Sequence, residues 1–426
     1  MSETEAPAGE TCLTGNASRP VSPDVAAARA VAIAAAVVET ETIDLVDAQG
    51  RVLAADIVSS MAVPPFDNSA MDGYAVRLGD LVGDGPWTLA VSGRAAAGDK
   101  AHASTAGQRQ ALRIFTGAPV PKGFDAVVMQ ERCKRDGDQV VIAGKRPWAG
   151  ENIRRAGEDV TSGALLASSG EALSPQRLAL LAGAGVSGVL LFRKVRIGLI
   201  STGSELREPG ETLAPGQIYN SNRIVLRAML SRLSWVQVED FGIVPDDRAL
   251  LERTLNNASS SCDVVVSTGG VSGGDEDHVA AIMRDEGSPL EVVKVAMRPG
   301  KPVKVGRLGR SVFFGLPGNP NAALVTFRQI ALPAIRAVAG LRDVVPVWQP
   351  AVAGFGYAKK AGRTEFVPVR ISGRTNAGVP VVEMLGRGSS ANLSAMAAAD
   401  GIALLPPEDE TISPGMPLRY EAFRMP

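Results

Sequence analysis

Between residues 193 and 335, strand-length apolar runs alternate with helix-length runs, and two of the apolar runs end in Thr-Gly. Val195–Ser201 closes in Ser201-Thr202-Gly203, and Asp263–Ser267 closes in Thr268-Gly269-Gly270. Ser221–Leu233 reads as a helix, Val236–Val238 opens a strand, and Asp246 caps a helix to about Leu255. Asp277–Glu286 is a further helix, Val303–Val305 and Val312–Gly315 are strands, and Asn321–Ala331 is a helix. Strands alternating with helices predict an α/β domain, a doubly wound parallel sheet with helices on both faces. Ligands in such sheets bind at the carboxyl ends of the strands, where these Gly-rich loops fall.

The flanking sequence has a different texture. Residues 1–20 are rich in Ser, Thr, Gly, Pro and Glu and read as a disordered tail. Ser22-Pro23-Asp24 is a helix start, with Ser22 as N-cap and Pro23 in the first turn, and the Ala-rich helix is expected to reach Val38. Thr42–Val46 and Val52–Ile57 read as short strands. From residue 64 to 153, Tyr74–Val76, Trp87–Val91, Gln110–Phe115, Ala126–Met129 and Gln139–Ile142 recur between turn signals, a small all-β insertion. From 346 to 426 short strands return at Phe366–Ile371, Val379–Met384, Ile402–Leu405 and Pro417–Tyr420, as in a small β-barrel. The expected domains are therefore 21–63 with 154–192, the insertion 64–153, the α/β domain 193–345 and the barrel 346–426.

Charge and composition remove several function classes. Lys plus Arg is 44 and Asp plus Glu is 45, a net charge of −1, which argues against a general nucleic-acid binder. Three dispersed cysteines (Cys12, Cys133, Cys262) and two histidines (His102, His278) leave little material for a disulfide framework, a structural zinc site or a Ser-His-Asp triad. The longest apolar stretches, Val25–Val38 and Leu178–Phe192, fall short of the about 18 residues a membrane span needs. Glu3 and Glu5 stand where a secretory signal carries basic residues. A cytoplasmic protein is expected.

The residues able to carry chemistry gather at the same strand ends. Thr202 and Thr268 offer hydroxyls beside Gly203 and Gly269, where a backbone can approach a phosphate; an ordinary strand-end turn is the alternative for each alone. Carboxylates cluster there too, at Glu205, Asp246-Asp247 and Asp275-Glu276-Asp277; oxygen ligands from separate loops suit Mg²⁺ shared with substrate phosphates, although Asp246 and Asp277 also suit plain helix starts. Lys294, Arg298, Lys301 and Lys304 put four cations in eleven residues. Lys294 and Arg298 are four apart and would share a face of one strand. Gly315-Leu-Pro317-Gly-Asn-Pro320 is a rigid loop leading into a helix whose N-terminal N–H groups suit an anion.

Pro65-Phe-Asp67-Asn-Ser-Ala-Met-Asp72-Gly-Tyr-Ala-Val76 resembles the signature of the molybdopterin molybdenumtransferase family (MoeA, and the E domain of gephyrin). The similarity continues, in the family's order, through Thr116-Gly-Ala-Pro119, Asn152–Asp159, Ser201–Glu205, Ser267–Ser272, Arg298–Pro302 and Gly315–Pro320, and spans about residues 20–424.

The resemblance implies the last step of molybdenum cofactor synthesis. Adenylylated molybdopterin and molybdate react with Mg²⁺, AMP leaves, and the metal passes to the dithiolene. It implies a homodimer in which Asp67, Thr116 and Asp159 face the cleft of the other subunit. Glu205, Asp246 and Asp277 match the acidic residues of the sheet domain. Lys294, Arg298 and Lys301 match the anion-binding segment, Pro317 and Pro320 the proline loop, and Arg370 and Ser389 a contribution from the C-terminal domain. Molybdopterin adenylyltransferase and molybdoenzyme apoproteins are the implied partners, with no nucleic acid and no membrane. Three positions depart from the family's usual pattern: Ser204 in place of Asp, Gly273-Gly274-Asp275-Glu276 before Asp277, and Asn321-Ala322 in place of Val-Ser. They leave open a specialised paralogue acting on an oxyanion such as tungstate. A related adenylyltransferase and a scaffold on the same fold are the other readings.

Overall fold

The computed structural model describes residues 20–99, 107–269, 278–285, 287, 290–300, 302–386 and 392–423. They pack as two compact units: residues up to 41, 50–52 and 192 onward form the first, and 42–49 with 53–191 the second. The expected tail 1–20 lies almost wholly outside the described residues, as do Asp277, Lys301 and Ser389.

In the first unit the sheet strands are β1 (Val195–Thr202), β2 (Val236–Val244), β3 (Val264–Thr268), β4 (Glu291–Lys294), β5 (Pro302–Leu308) and β6 (Ser311–Leu316). Their lateral order is β2-β1-β3-β6-β5-β4. The first four are parallel, with Ile197 opposite Val264 and Val264 opposite Val312. β5 runs antiparallel to β6 and to β4, which makes the sheet mixed. The helices are α1 (Ser221–Leu230), α2 (Arg248–Ser261), α3 (His278–Asp285) and α4 (Pro320–Thr326). Alternate residues feed opposite cores. Ile197, Leu199, Val266 and Phe314 pack with Leu226 and Leu230 of α1 and Ala323 of α4. Ile200, Val265 and Phe313 pack with Leu251 and Leu255 of α2 and Val279 and Ile282 of α3. Both faces are covered, as near-continuous apolar strands require.

Some boundaries differ from the sequence reading. Asp247, not Asp246, caps α2, its side chain accepting from the Leu250 N–H at 2.8 Å. The Ser22 cap forms as expected, but its helix ends at Ile33, not Val38. Ala26 and Ala30 of that helix belong to the sheet's core. The helix at Asn321–Ala331 becomes α4, a π-helical turn over Phe327–Ala331 and an α-helix over Leu332–Val338. The wide turn precedes Pro333, which has no N–H for the regular ladder and crowds the carbonyl four residues back.

The carboxyl-terminal strands β7 (Gln349–Ala353), β8 (Thr364–Arg374), β9 (Pro380–Met384), β10 (Gly401–Leu405) and β11 (Pro417–Ala422) close into a five-strand barrel in the order β8-β9-β7-β11-β10, because β10 also pairs with β8. Its interior is filled by small and branched residues such as Ala351, Val369, Val382 and Leu405. The second unit contains a six-stranded sheet that includes all five strands expected of the insertion and one more at Cys133–Asp136. No helix among the described residues is long and apolar enough to cross a membrane.

Candidate active site

At the carboxyl edge of the parallel strands, β1 and β3 end side by side, with Ser201 opposite Thr268. The Ser201 and Thr268 hydroxyls lie 3.3 Å apart, and both side chains are buried. Thr202 Oγ1 is also buried and has no hydrogen-bond partner among the described residues. Gly269 is left-handed (φ +85°), and a Cβ there would sit 2.2 Å from the Thr202 carbonyl oxygen. The close approach of β1 therefore demands glycine before any ligand is considered. Gly203 also lies at positive φ (+146°), which side-chain-bearing residues rarely adopt, although the atom nearest a Cβ there, Glu205 Oε2 at 2.4 Å, ends a flexible side chain.

The acids follow directly. Ser204 and Asp246 bond reciprocally: the Ser204 N–H donates to Asp246 Oδ2 at 2.9 Å, and the Asp246 N–H donates to Ser204 Oγ at 3.1 Å. This fixes Asp246 next to the loop that carries exposed Glu205. Ser204, one of the departures from the family pattern, thus has a structural task. The Asn222 side chain on α1 donates to the Gly318 carbonyl at 2.7 Å and ties the proline loop to the edge. Pro317 and Pro320 are half-buried on that loop. Asn222 Oδ1 and Asn321 Oδ1 are further buried acceptors without a partner among the described residues. The structure thus gathers Thr202, Glu205, Asp246, Thr268, Gly269, Pro317 and Pro320 along one edge.

The cationic segment does not follow the sequence expectation. Lys294 ends β4, whereas Met297–Arg298 is a separate short strand pairing with β8 of the barrel. The chain changes sheets between them, so the rule for two residues on one strand does not apply. Both side chains are exposed. Arg298 Nη1 lies 3.5 Å from the Tyr357 hydroxyl and 3.7 Å from Glu365 Oε2. The Tyr357 hydroxyl donates to Glu365 at 3.1 Å, and burial together with the Glu365 charge raises the Tyr357 pKa. Gly300 follows at φ +103°, where a Cβ would lie 2.4 Å from Thr326 Oγ1 of α4. Arg370 is exposed on β8 and faces Glu383 across the strand pair at 3.7 Å.

In the second unit, three segments are knitted together by backbone bonds. Val120 N–H donates to the Asp67 carbonyl at 2.9 Å, Gly117 N–H to Ser69 at 2.8 Å, Ala70 N–H to Asn152 at 2.8 Å and Asp159 N–H to Val63 at 3.0 Å. Asp67 accepts from the Ala156 N–H at 2.8 Å and pairs with Arg155 at 2.6 Å. The Ala156 bond, helped by Arg155, holds its pKa below the ordinary value against the opposing effect of desolvation. Thr116 donates both its N–H and its hydroxyl to Asp72 Oδ1 at 2.8 Å. This aspartate lies within the signature Pro65–Val76. The Thr116 bonds hold the Asp72 pKa down. Asp159 is exposed. Asp67, Thr116 and Asp159 therefore belong to one local cluster, built by the three segments that carry the resemblance.

Family models match along the chain in order: the MoeA N-terminal region (domain I and II) over 23–185, the probable molybdopterin binding domain over 198–337 and the MoeA C-terminal region (domain IV) over 350–423. The molybdopterin molybdenumtransferase of Haemophilus influenzae is 41% identical over 329 residues, 77% of this chain and 80% of that protein. The chain belongs to the MoeA family. Molybdopterin molybdenumtransferase 2 of Mycobacterium tuberculosis is 36% identical over 386 residues, covering 89% of this chain and 94% of the other. A crystal structure of the molybdopterin biosynthesis MoeA protein from Pyrococcus horikoshii OT3 superposes with a TM-score of 0.80 at 28% identity, over 95% of this chain and 100% of that one. The MoeA relatives named as transferases place the chain among enzymes of molybdenum cofactor biosynthesis.

Proposed function

We propose that the chain inserts molybdate into adenylylated molybdopterin with release of AMP, using Mg²⁺, as a cytoplasmic homodimer. The observation that carries the reading is the edge formed by Thr202, Glu205, Asp246 and Thr268, where carboxylates stand beside buried hydroxyls at the carboxyl ends of parallel strands. Relatives that are 36–41% identical and named molybdopterin molybdenumtransferases support the molybdenum-transfer part of this reading.

Magnesium fits this donor set. Among the described residues no three His, Cys, Asp or Glu side chains are grouped to hold a metal. Mg²⁺ does not need such a cage, since it is commonly held by one or two carboxylates, waters and substrate phosphates. Glu205 and Asp246 would supply carboxylates, and Asp277 a third from outside the described residues. When bound, the ion would neutralise charge on the phosphoanhydride. The chain's own residues have the remaining tasks. Lys294, Arg298 and Lys301 hold anionic oxygens, which matters in a protein of near-zero net charge because attraction must then be local. Pro317 and Pro320 keep the loop rigid, and Arg370 and Ser389 contribute from the C-terminal domain. Asp67, Thr116 and Asp159 act in the cleft of the other subunit; Arg155 orients Asp67, and Asp72 orients Thr116, before ligand arrives. Molybdopterin adenylyltransferase would supply the substrate, and molybdoenzyme apoproteins would accept the product.

The test supplies purified chain with adenylylated molybdopterin and Mg²⁺, with molybdate, tungstate or neither, and measures AMP. Molybdate-dependent AMP release is expected. Release with tungstate alone would favour a tungsten paralogue. Formation of adenylylated molybdopterin and pyrophosphate in a separate mixture of molybdopterin, ATP and Mg²⁺ would favour adenylyl transfer, and no turnover in any arm would favour a scaffold.

A further inference from the structure

The Arg298 contacts are asymmetric. Its side chain is 45% exposed, whereas that of Glu365 is 3% exposed. The two are register partners, Arg298 opposite Glu365 and Met297 opposite Thr364. The Tyr357 hydroxyl lies beside both, 3.1 Å from Glu365 Oε2 and 3.5 Å from Arg298 Nη1. A buried carboxylate is costly unless paired, so Glu365 needs these neighbours. The planar guanidinium, in turn, cannot be fixed at one nitrogen without orienting the others. One side is therefore engaged by an inner carboxylate and phenol while the side chain still reaches solvent.

We infer that Glu365 and Tyr357 are positioning residues that aim the Arg298 guanidinium as a clamp for the oxyanion substrate. The inference rests on the reading of Arg298 as an anion-binding residue. Two physical effects of Glu365 have opposite signs. Its charge opposes an incoming anion, so neutralising it strengthens anion binding by charge alone. Its hold on Arg298 favours a directed, charge-assisted hydrogen bond, so losing it weakens binding. The sign of the effect therefore separates a positioning group from a merely neutralising one.

The experiment titrates molybdate into the full chain and into Arg298→Ala, Glu365→Gln, Tyr357→Phe and the Glu365→Gln/Arg298→Ala double variant, with the melting temperature of each. Arg298→Ala is expected to weaken binding by about tenfold or more, as for loss of a hydrogen bond to a charged group. Glu365→Gln is expected to weaken it by about tenfold despite the loss of a negative charge, and Tyr357→Phe by less. The double variant should bind no worse than Arg298→Ala, because residues acting through one group are not additive. Unchanged or tighter binding in Glu365→Gln, or additive losses, would overturn the inference. Should Glu365→Gln fail to fold, Glu365→Asp and Tyr357→Phe decide it: weaker binding at near wild-type melting temperature supports positioning, and unaltered binding refutes it. Equal binding by wild type and Arg298→Ala, or none by wild type, also refutes the clamp, while AMP release decides the transferase reading separately.

Discussion

Gly269 shows how a residue chosen by chemistry in the sequence is claimed first by packing in the fold. Beside Thr268 it reads as a phosphate-loop glycine, yet its φ of +85° and the Thr202 carbonyl 2.2 Å from any Cβ already require it. Gly269→Ala is expected to lower stability by about 1–3 kcal/mol, the usual cost of backbone strain, without any ligand present. Urea denaturation of the two apoproteins checks this. Unchanged stability with lost anion binding would return Gly269 to a purely ligand-directed role. Asp72 is the reverse case. Its motif was visible in the chain, but its bond to Thr116 spans 44 positions and no local spacing reveals it. Glu365 and Tyr357 were invisible for the same reason, since only the pairing of Met297–Arg298 with β8 brings them to Arg298.

Elements were legible where local signals are strong. The Ser22-Pro23 start, the apolar strand Val195–Thr202 and the strands of the insertion all came from side-chain pattern and turn residues. Direction was harder. Val303–Val305 and Val312–Gly315 read as strands of a parallel sheet, but only Gly309 and Arg310 join β5 to β6, and two residues cannot make a parallel crossover. The turn was the available signal. The hairpin buries Lys304 opposite Gly315, and burial pushes its pKa down from 10.5 to about 8. The unfolded chain then holds this proton more tightly than the folded one. Between about pH 8 and 10 it binds more protons, so this group makes stability rise with pH across that window. Lys304→Met should flatten that rise in the denaturation midpoint measured from pH 7.5 to 10.5, and an equal slope in both proteins would contradict the assignment.

At the scale of the whole molecule, the α/β, inserted-β and barrel regions were all readable from changes in periodicity, because each has a distinct strand and helix rhythm. Compactness was not readable. The helix Pro23–Ile33 packs into the sheet's core, while residues 154–191 pack with the insertion, and long-range burial rather than composition decides that grouping. The proposed chemistry needs residues from both units: Asp67 with its Arg155 partner in one, and Glu205 beside Asp246 in the other. The central claim is that these two sets serve one transferase site supplied by two chains. Mixing Asp67→Asn and Glu205→Gln chains, each nearly inactive alone, and measuring molybdate-dependent AMP release tests it most directly. Mixed dimers contain one cleft with both wild-type residues, so activity should return to about a quarter of wild type when random exchange makes half of the dimers mixed and each restores one of two clefts. Mixed dimers that are shown to form and release no more AMP than the separate variants would contradict the claim.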